Sequence, residues 1–509
     1  MVQSIDYHAV APLLVVAGTA LVVLVADLFL PPARRGLAVV LSLVGVAAAL
    51  GATLSLLGGG SRGTFCTPPG RLSPLAGAVA VGQSCSYVVD GFSLLFDVLF
   101  LVTAAVVLLL SMSYLRDARL PPGEYCFLLL SALVGMLGLA ASRDLIMLVV
   151  ALEVVSLPGF VLAGLRRGDA RSSESALKFF LISVLATAVM LLGMSLLYGL
   201  AGSVQLDRVA VALQQPALRQ PVTAAAVLLV VVGFGFKVSA VPFHFWTPDT
   251  YDGAPLPVAA FLSVASKAAG FAGLLSVLLV GLRPYADVWG PLLAVLAAAT
   301  MTLGNLLALQ QRSVVRLLAW SSIAQAGYIL VPLAAAASVH GRRVALPRAT
   351  AASLGYLAIY AAMNLGAFGC VVAVARRRPQ NDLADYRGLA AESPLLAIAF
   401  AFFLLCLAGV PPGLAGLFAK VVVFRTTVDG AVVWLGVVMA LNTVIALAYY
   451  LRLAAGLFAR ADVGRTPGPV VVPLPTRAAI ALTVVVTVVL SVDPQLVLHA
   501  ADLATFDSG

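Results

Sequence analysis

The chain has only four lysines, and all of them lie inside long apolar segments: Lys178, Lys237, Lys267 and Lys420. A charge at the centre of a lipid bilayer costs at least about 2.5–3.5 kcal/mol, so a lysine in an apolar segment indicates a function. The polar connections carry arginine instead, which accounts for 27 of the 31 basic residues. A buried lysine can release its proton, whereas arginine stays protonated. This division between lysine and arginine is the one that a proton relay through a membrane requires.

Glu153 is the one acidic residue in the apolar run IMLVVALEVVSLPGFVLAG. A buried acid favours a basic partner, and we expect Glu153 to lie opposite Lys237. Pairing favours the charged form of a lysine, while the loss of hydration favours the neutral form. A lysine balanced between these two effects can bind and release a proton. The alternative is a purely structural ion pair.

The other three lysines differ in their local surroundings. Lys178 follows Glu174 by four residues, so a pair on the surface of one helix is an alternative to a relay role. Lys267 and Lys420 have no acidic residue near them in the sequence, which makes a structural explanation harder. All four remain candidates for proton translocation.

His244 lies seven residues after Lys237, about two helical turns further along the same face. Because histidine titrates near neutral pH, His244 suits a relay. The alternative is an ordinary buried histidine that is satisfied by hydrogen bonds.

The composition is that of a membrane protein with many spans. Of 509 residues, 62% are hydrophobic and only 10% are charged. Soluble domains average about 45–50% apolar and about 25% charged residues. These values exclude a soluble enzyme, a nucleic-acid-binding protein and a disordered chain. Neither a dinucleotide-binding glycine motif nor a P-loop occurs, and the four histidines and five cysteines lack the spacing of metal or haem ligands.

Hydropathy predicts an all-α polytopic fold with about 14 transmembrane helices, since a helix crosses the bilayer core with about 20 apolar residues. The predicted spans are 12–30, 37–57, 89–113, 124–141, 144–165, 173–200, 222–245, 256–281, 288–309, 315–337, 351–375, 394–424, 430–457 and 474–492. Of the 27 arginines, 17 fall on one side of this arrangement and 10 on the other. The positive-inside rule then places both termini on the outer side.

Two groups of five spans correspond to each other. Spans 4–8 and spans 9–13 each contain a helix breaker in the fourth member, Pro242 in span 7 and the pair Pro411-Pro412 in span 12. Each broken span also carries a lysine. Because five is odd, the second unit runs inverted relative to the first, which is the arrangement of many transport sites. The chain is predicted to have four units. Residues 1–120 hold spans 1–3 and the outer loop 58–88, residues 121–283 and 284–460 are the two five-span units, and residues 461–509 hold span 14.

The outer loop 58–88 contains Cys66 and Cys85. The outer compartment permits a disulfide. A bridge between the two cysteines and a pair of free thiols both remain open.

The segment KVSAVPFHFWTPDTYDGAPLPVAAFLSVASKAAGFA at 237–272 closely resembles the antiporter-like membrane subunits of respiratory complex I, the NADH-quinone oxidoreductase. The segment SSIAQAGY at 321–328 resembles a second stretch of this family. The resemblance extends through about spans 4–13. It implies fourteen core spans with two inverted five-helix units, which agrees with the count from hydropathy.

The resemblance also implies roles for matched residues. Glu153 and Lys237 would form the pair of the input half-channel, Lys267 would be the central relay lysine, and Lys420 would serve the output half-channel. His244 and Lys178 would match further polar positions of the path. Gln325 stands in SSIAQAGY where the family has a histidine, so this position lacks a group that titrates.

A subunit of this kind would translocate protons in a bacterial cytoplasmic membrane and would hold no cofactor itself. FMN, iron–sulfur clusters and quinone would belong to partner subunits. The implied partners are the antiporter-like subunits L and M, the small subunits A, J, K and H, the peripheral arm and the lipid bilayer, without nucleic acid. Two alternatives remain: a subunit of a multi-subunit cation/proton antiporter, and a structural membrane subunit that does not pump.

Overall fold

The computed structural model describes residues 5–31, 34–72, 79–338, 346–460 and 470–504. Helices dominate these ranges, and twelve of them are long and apolar enough to cross a membrane. A backbone in lipid must satisfy its own hydrogen bonds, and the helix does so within one segment. The all-α polytopic fold class predicted from the sequence is confirmed.

The helices of the first part of the chain comprise three at the N-terminal end and eight that follow. They are α1 (Tyr7–Phe29), α2 (Leu37–Ser55), α3 (Gly91–Asp117), α4 (Pro122–Ala141), α5 (Leu145–Ala163), α6 (Ala170–Ala201), α7 (Leu206–Leu213), α8 (Pro221–Lys237), α9 (Trp246–Gly253), α10 (Leu256–Phe261) and α11 (Lys267–Ser276). Two π-helical segments, Leu262–Ser266 and Val277–Gly281, join α10 to α11 and extend α11. Short 3₁₀ turns lie at Pro216–Leu218 and Arg283–Tyr285.

The second part repeats this pattern of long and interrupted helices. Its members are α12 (Ala286–Leu309), α13 (Val314–Ala337), α14 (Leu346–Ala375), α15 (Leu389–Glu392), α16 (Pro394–Ala408), α17 (Leu414–Asp429), α18 (Val433–Phe458), α19 (Leu474–Val492) and α20 (Gln495–Leu503). A 3₁₀ turn at Leu383–Tyr386 precedes α15. The short apolar helices α8 and α16 lie at predicted spans 7 and 12, where the sequence predicted breaks.

The first break separates α8 from α9. Helix α8 ends at Lys237, Ser239 has a positive φ of 62°, and the peptide bond before Pro242 is cis. Proline has no N–H to continue a helix, so the hydrogen-bond ladder stops here. The carbonyl oxygen of Phe236 accepts hydrogen bonds from the Ser239 N–H at 3.0 Å and from the indole Nε1 of Trp246 at 3.2 Å, which satisfy this end of α8.

The second break separates α16 from α17. Gly409 ends α16 in the left-handed conformation with φ +80°, which glycine adopts without steric strain. The cis peptide bond Pro411–Pro412 follows, and α17 begins at Leu414. The end of α16 therefore presents the carbonyl oxygens of Leu407 and Ala408 inside the protein, where they can bind a cation.

The 58–88 loop contains β-structure that the sequence analysis did not predict. Strands β1 (Arg62–Thr67) and β4 (Ser84–Val89) pair antiparallel, and β2 (Gly70–Leu72) pairs with β3 (Val79–Val81). Cys66 and Cys85 lie opposite each other in the β1–β4 pair and form a disulfide. The structure thus decides between the two alternatives that the sequence left open.

Two arginines hold this hairpin against neighbouring helices. Arg208 of α7 donates to the carbonyl oxygen of Pro68 at 2.7 Å and to Ser84 Oγ at 2.9 Å. Arg62 of β1 donates to Asp6, the residue before α1, at 2.9 Å. This hydrogen bond holds the pKa of Asp6 below its usual value. The loop therefore packs against α7 and against the start of α1.

The most buried helices of the described chain are α10, α11, α13 and α14, whereas α1, α2, α6, α18 and α19 expose apolar faces. In a bilayer, apolar faces suit the lipid or neighbouring membrane subunits, and polar residues concentrate inside the bundle. Close packing accompanies this burial: a Cβ atom at Gly304 of α12 would lie 2.6 Å from the backbone N of Ala324 in α13. Of these interior helices, α11 carries Lys267 at its first residue.

Candidate functional site

Lys237 lies at the last residue of α8, at the first break, and is 8% exposed. Its Nζ donates to Ser156 Oγ of α5 at 2.5 Å and to Ser183 Oγ of α6 at 3.1 Å. Helix α11 comes close on another side, where a Cβ at Gly270 would lie 3.0 Å from the Lys237 backbone. The break thus places Lys237 between α5, α6 and α11, where uncharged hydroxyl groups bind its ammonium group.

Glu153 lies on α5 one turn before Ser156 and is half-buried. Its carboxylate accepts a hydrogen bond from Thr187 Oγ1 of α6 at 2.9 Å. The ion pair with Lys237 expected from the sequence is not formed, since Glu153 makes no contact within 4 Å of a basic group in the described ranges. Instead, Glu153 binds Thr187 of α6, whereas Lys237 binds Ser156 of α5 and Ser183 of α6.

Lys267 begins α11 directly after the π-helical segment and is 1% exposed. Its Nζ donates to the carbonyl oxygen of Ser322 in α13 at 2.7 Å and to Ser322 Oγ at 2.6 Å. Tyr360 of α14 donates to the same Ser322 Oγ at 2.9 Å. A π-helical turn widens the helix locally and often accompanies a functional site.

Lys420 lies on α17 after the second break and is 5% exposed. Its Nζ donates to the carbonyl oxygens of Ala408 at 2.6 Å and Leu407 at 3.3 Å, at the end of α16. It also lies 5.4 Å from the ring centroid of Tyr328. A helix C-terminus carries partial negative charge, so the broken end of α16 stabilises a cation without a carboxylate.

Lys178 has a different environment from the other three lysines. Its side chain is 43% exposed and its Nζ lies 2.6 Å from Glu174 and 2.8 Å from Asp249. Arg316 of α13 also pairs with Asp249, at 2.9 Å. The local pair with Glu174, one alternative from the sequence, is therefore present, and it belongs to a charged cluster that connects α6, α9 and α13.

The substitution Lys178→Arg should leave assembly and proton pumping near wild-type levels. Arginine keeps the positive charge and can donate to both Glu174 and Asp249, so the cluster survives the exchange. The measurement is pumping by membrane vesicles from the variant, with the amount of assembled protein determined separately. A fully assembled Lys178→Arg variant that does not pump would instead place Lys178 in the relay.

His244 lies in the first break and is 4% exposed. Its ring centroid is 5.3 Å from that of Trp320, and neither His244 Nδ1 nor Trp320 Nε1 has a hydrogen-bond partner among the described residues. The backbone of Pro242 also lies within reach of the ring. Both alternatives from the sequence, a relay group and an ordinary buried histidine, therefore stay open for His244.

The sequence analysis did not single out the uncharged groups that bind the lysines. They are Ser156, Ser183 and Ser322, with Thr187 as the partner of Glu153 and Tyr360 as the partner of Ser322. Serine and threonine are common in membrane helices, where their hydroxyls usually bond to the carbonyl four residues earlier. Ser156 itself makes that bond to Leu152 at 2.5 Å. The only available signal was SSIAQAGY, which includes Ser322.

The arrangement as a whole offers three buried lysines that are bound only by neutral oxygen atoms. No carboxylate oxygen of the described residues lies within 4 Å of Lys237, Lys267 or Lys420. Such a lysine can bind or release a proton without the breaking of an ion pair. Within the described part of the chain, no three His, Cys, Asp or Glu residues form a group that could hold a metal ion.

A family model described as "NADH:quinone oxidoreductase/Mrp antiporter, TM" matches residues 142–446. The match includes both breaks and all the candidate residues named above. The chain belongs to this family of membrane proteins.

Relatives that match nearly the whole chain identify the group within this family. NADH-quinone oxidoreductase subunit N 2 of Streptomyces griseus subsp. griseus is 51% identical, with 99% of this chain and 95% of the relative covered. Subunit N of Salinispora tropica is 47% identical, with 93% and 88% covered. The chain is thus a member of the subunit N group of NADH-quinone oxidoreductases, and the resemblance to complex I predicted from its sequence is confirmed.

Solved structures agree with this assignment. A chain of respiratory complex I from Thermus thermophilus, solved with bound aureothin, is 34% identical and has a TM-score of 0.75, with 97% of this chain and 99% of that chain covered. A chain of the Mrp complex from Dietzia sp. DQ12-45-1b has a TM-score of 0.81 at 21% identity, with 98% and 97% covered. The second likeness shows the shared fold alone.

Proposed function

We propose that the chain translocates protons as the N subunit of a bacterial NADH-quinone oxidoreductase, through the path Glu153, Lys237, Lys267 and Lys420. The observation that carries the proposal is the neutral binding of the three buried lysines, at Ser156 and Ser183, at Ser322, and at the end of α16. Proton release by a lysine is possible at such sites and impossible for arginine. The membership in the subunit N group supports the same function.

The path uses one lysine-bearing break in each proposed five-helix unit, 121–283 and 284–460. Lys237 at the first break and Lys420 at the second are the ends, and Lys267 lies on α11 between them in the sequence. Glu153 supplies an acidic group beside the Lys237 end. His244 lies in the first break, where it can take part in proton entry, and Lys178 contributes its positive charge to the charged cluster beside it.

The energy for pumping comes from electron transfer in partner subunits. FMN, iron–sulfur clusters and quinone belong to those partners in this proposal, and this chain contributes neither a flavin nor a cluster. Its neighbours in the membrane arm would be the antiporter-like subunits L and M and the small subunits A, J, K and H, with the peripheral arm above the membrane. The exposed apolar faces of α1, α2, α6, α18 and α19 suit lipid and such neighbours.

The runner-up is a subunit of a multi-subunit cation/proton antiporter, since the description of the matching family model names both classes of protein. The decisive experiment is the composition of the complex that is solubilised with this chain. Copurification of flavin- and iron–sulfur-containing subunits, with NADH-driven pumping, supports the proposal. Sodium-dependent exchange in a complex without those subunits supports the antiporter. If every buried lysine can be replaced without loss of pumping while the subunit is still present in the complex, the subunit is structural.

The proposed location is the bacterial cytoplasmic membrane, with both termini on the outer side. Seventeen of the 27 arginines fall on the opposite side. The residues at the C-terminal end, including Gly509, lie outside the described ranges. A reporter fused after Gly509 that is active only in the cytoplasm should stay silent. A strong signal, with the fusion protein intact in the membrane, would contradict this orientation.

A further inference from the structure

A cluster of hydroxyl groups and one amide lies between the surroundings of Lys267 and those of Lys420. Its members are Ser321, Tyr450, Gln325 and Tyr356, which we call the hydroxyl junction. The Ser321 hydroxyl and the Tyr450 hydroxyl form a short hydrogen bond. Gln325 Nε2 donates to Tyr450 OH at 3.3 Å, and Tyr356 OH donates to Gln325 Oε1 at 2.5 Å. All four side chains are at most 2% exposed.

One end of the hydroxyl junction adjoins the Lys267 site. Ser321 is followed directly by Ser322, which binds Lys267 Nζ through both its carbonyl oxygen and its hydroxyl. Successive side chains leave a helix about 100° apart. Helix α13 therefore presents the Ser322 hydroxyl to Lys267 and the Ser321 hydroxyl to Tyr450 of α18.

The other end adjoins the Lys420 site. Gln325 Nε2 donates to the carbonyl oxygen of Leu407 at 3.4 Å. The same carbonyl oxygen accepts a hydrogen bond from Lys420 Nζ at 3.3 Å. The free end of α16 thus binds both the lysine and the amide of the hydroxyl junction.

We propose that the Tyr450 and Ser321 hydroxyls carry protons between Lys267 and Lys420, and that the Gln325 amide positions Tyr450. This inference rests on the proposed function. A hydroxyl can accept one proton as it gives up another, whereas an amide N–H does not release its proton at working pH. Gln325 is therefore a support for the path, and Tyr450 and Ser321 are the groups that the proton reaches.

The transfer balances in protons. Lys267 releases one proton, and water carries it to Ser321 Oγ. Ser321 passes its own proton to Tyr450 Oη, and Tyr450 passes its own proton through a water molecule to neutral Lys420. At the end Lys267 has lost one proton, Lys420 has gained one, and each hydroxyl has the number with which it began.

Tyr125 provides a matched control for Tyr450. It is equally buried, and its hydroxyl also shares a hydrogen bond with a serine hydroxyl, Ser111 Oγ at 2.7 Å. Tyr125 lies on α4 and Ser111 on α3, and neither hydrogen-bonds a lysine in the described part of the chain. The removal of either tyrosine hydroxyl takes a partner from one buried serine, but only Tyr450 belongs to the hydroxyl junction.

The experiment compares Tyr450→Phe, Ser321→Ala and Tyr125→Phe in the complete complex in proteoliposomes. The measurements are protons pumped per NADH oxidised, the rate of quinone reduction, and the amount of assembled complex. We expect Tyr450→Phe to lower pumping roughly tenfold or more, since a positioned proton-transfer group typically contributes about 10²–10⁴-fold to a rate. Tyr125→Phe should pump at the wild-type level. The double variant Tyr450→Phe/Ser321→Ala should pump no less than the single variant with the lower pumping rate, because both changes interrupt the same path.

Each outcome decides a different point. Wild-type pumping by Tyr450→Phe overturns the inference, and if that variant does not assemble, wild-type pumping by Ser321→Ala overturns it instead. Equal losses in Tyr125→Phe and Tyr450→Phe also overturn it, because the loss of a buried hydroxyl then explains both. Wild-type pumping by Lys420→Met defeats the proposed function itself. A pumping defect in Lys420→Met without one in Tyr450→Phe leaves the proposed function intact and removes only this inference.

Discussion

The substitution Lys237→Arg should stop proton pumping although it preserves the positive charge. Arginine does not release its proton at working pH, so a relay that passes through position 237 is blocked. Loss of a positioned proton-transfer group typically costs about 10²–10⁴-fold in rate, and we expect the pumping rate to fall roughly tenfold or more. Quinone reduction coupled to pumping should fall with it. The measurement is NADH-driven pumping and quinone reduction in membrane vesicles, with assembly determined separately.

A structural role makes the opposite prediction. A charge that only binds Ser156 and Ser183 would be replaced by the guanidinium group, and Lys237→Arg would then pump normally. The exchange at Lys178 is the matched comparison, because it is the same substitution at a lysine held by two acids. A normally pumping Lys237→Arg variant in a fully assembled complex would defeat the relay role of Lys237.

Glu153→Gln tests the acidic end of the same path. Glutamine retains an oxygen that can accept the hydrogen bond from Thr187, and it removes the negative charge beside Lys237. We therefore expect pumping to fall much more than assembly does. Equal losses of assembly and pumping would indicate that Glu153 holds α5 and α6 together.

The spans and their interruptions could be predicted because they depend on local properties of the sequence. Apolar length determines which segments can cross a bilayer, and Pro242 and Pro411-Pro412 remove backbone donors wherever they occur. The lysines stood out because charge is rare in apolar segments. The 58–88 loop did not show its strands, since β1 and β4 are short and their pairing joins residues far apart in the sequence.

The partners of the lysines could not be predicted, because they are decided by helix packing. Lys178 binds Asp249, 71 residues away, whereas the sequence indicated only Glu174. Lys237 binds two serines on different helices, and nothing in the sequence distinguishes these serines from others that bond only to their own helix. Lys420 binds backbone carbonyls, which carry no sequence signal apart from the break that exposes them.

The substitution Lys267→Met should abolish pumping and, at the same time, make the protein more stable. Methionine has a similar length and volume, and it removes a charge that has no carboxylate within 4 Å in the described ranges. We expect the free energy of unfolding to rise by about 1–3 kcal/mol, since a buried charge without an ion-pair partner is costly. Ser322 Oγ keeps its hydrogen bond from Tyr360, so the exchange leaves no buried hydroxyl unpaired. The measurement is the thermal unfolding midpoint of the purified complex, followed by limited proteolysis of this chain, together with pumping.

Arg143 is the contrasting case for the same kind of exchange. It is a buried cation that donates to Asp90 at 2.7 Å, and the Asp90 side chain is fully buried. Arg143→Met would leave that carboxylate without its ion-pair partner, which costs about 3–5 kcal/mol. A buried cation with a structural role is thus expected to destabilise the protein when it is removed. The removal of a relay cation is expected to stabilise the protein, because the buried charge lowers stability and is retained for proton transfer. A Lys267→Met variant that is less stable and still pumps would therefore assign Lys267 to the architecture of the bundle.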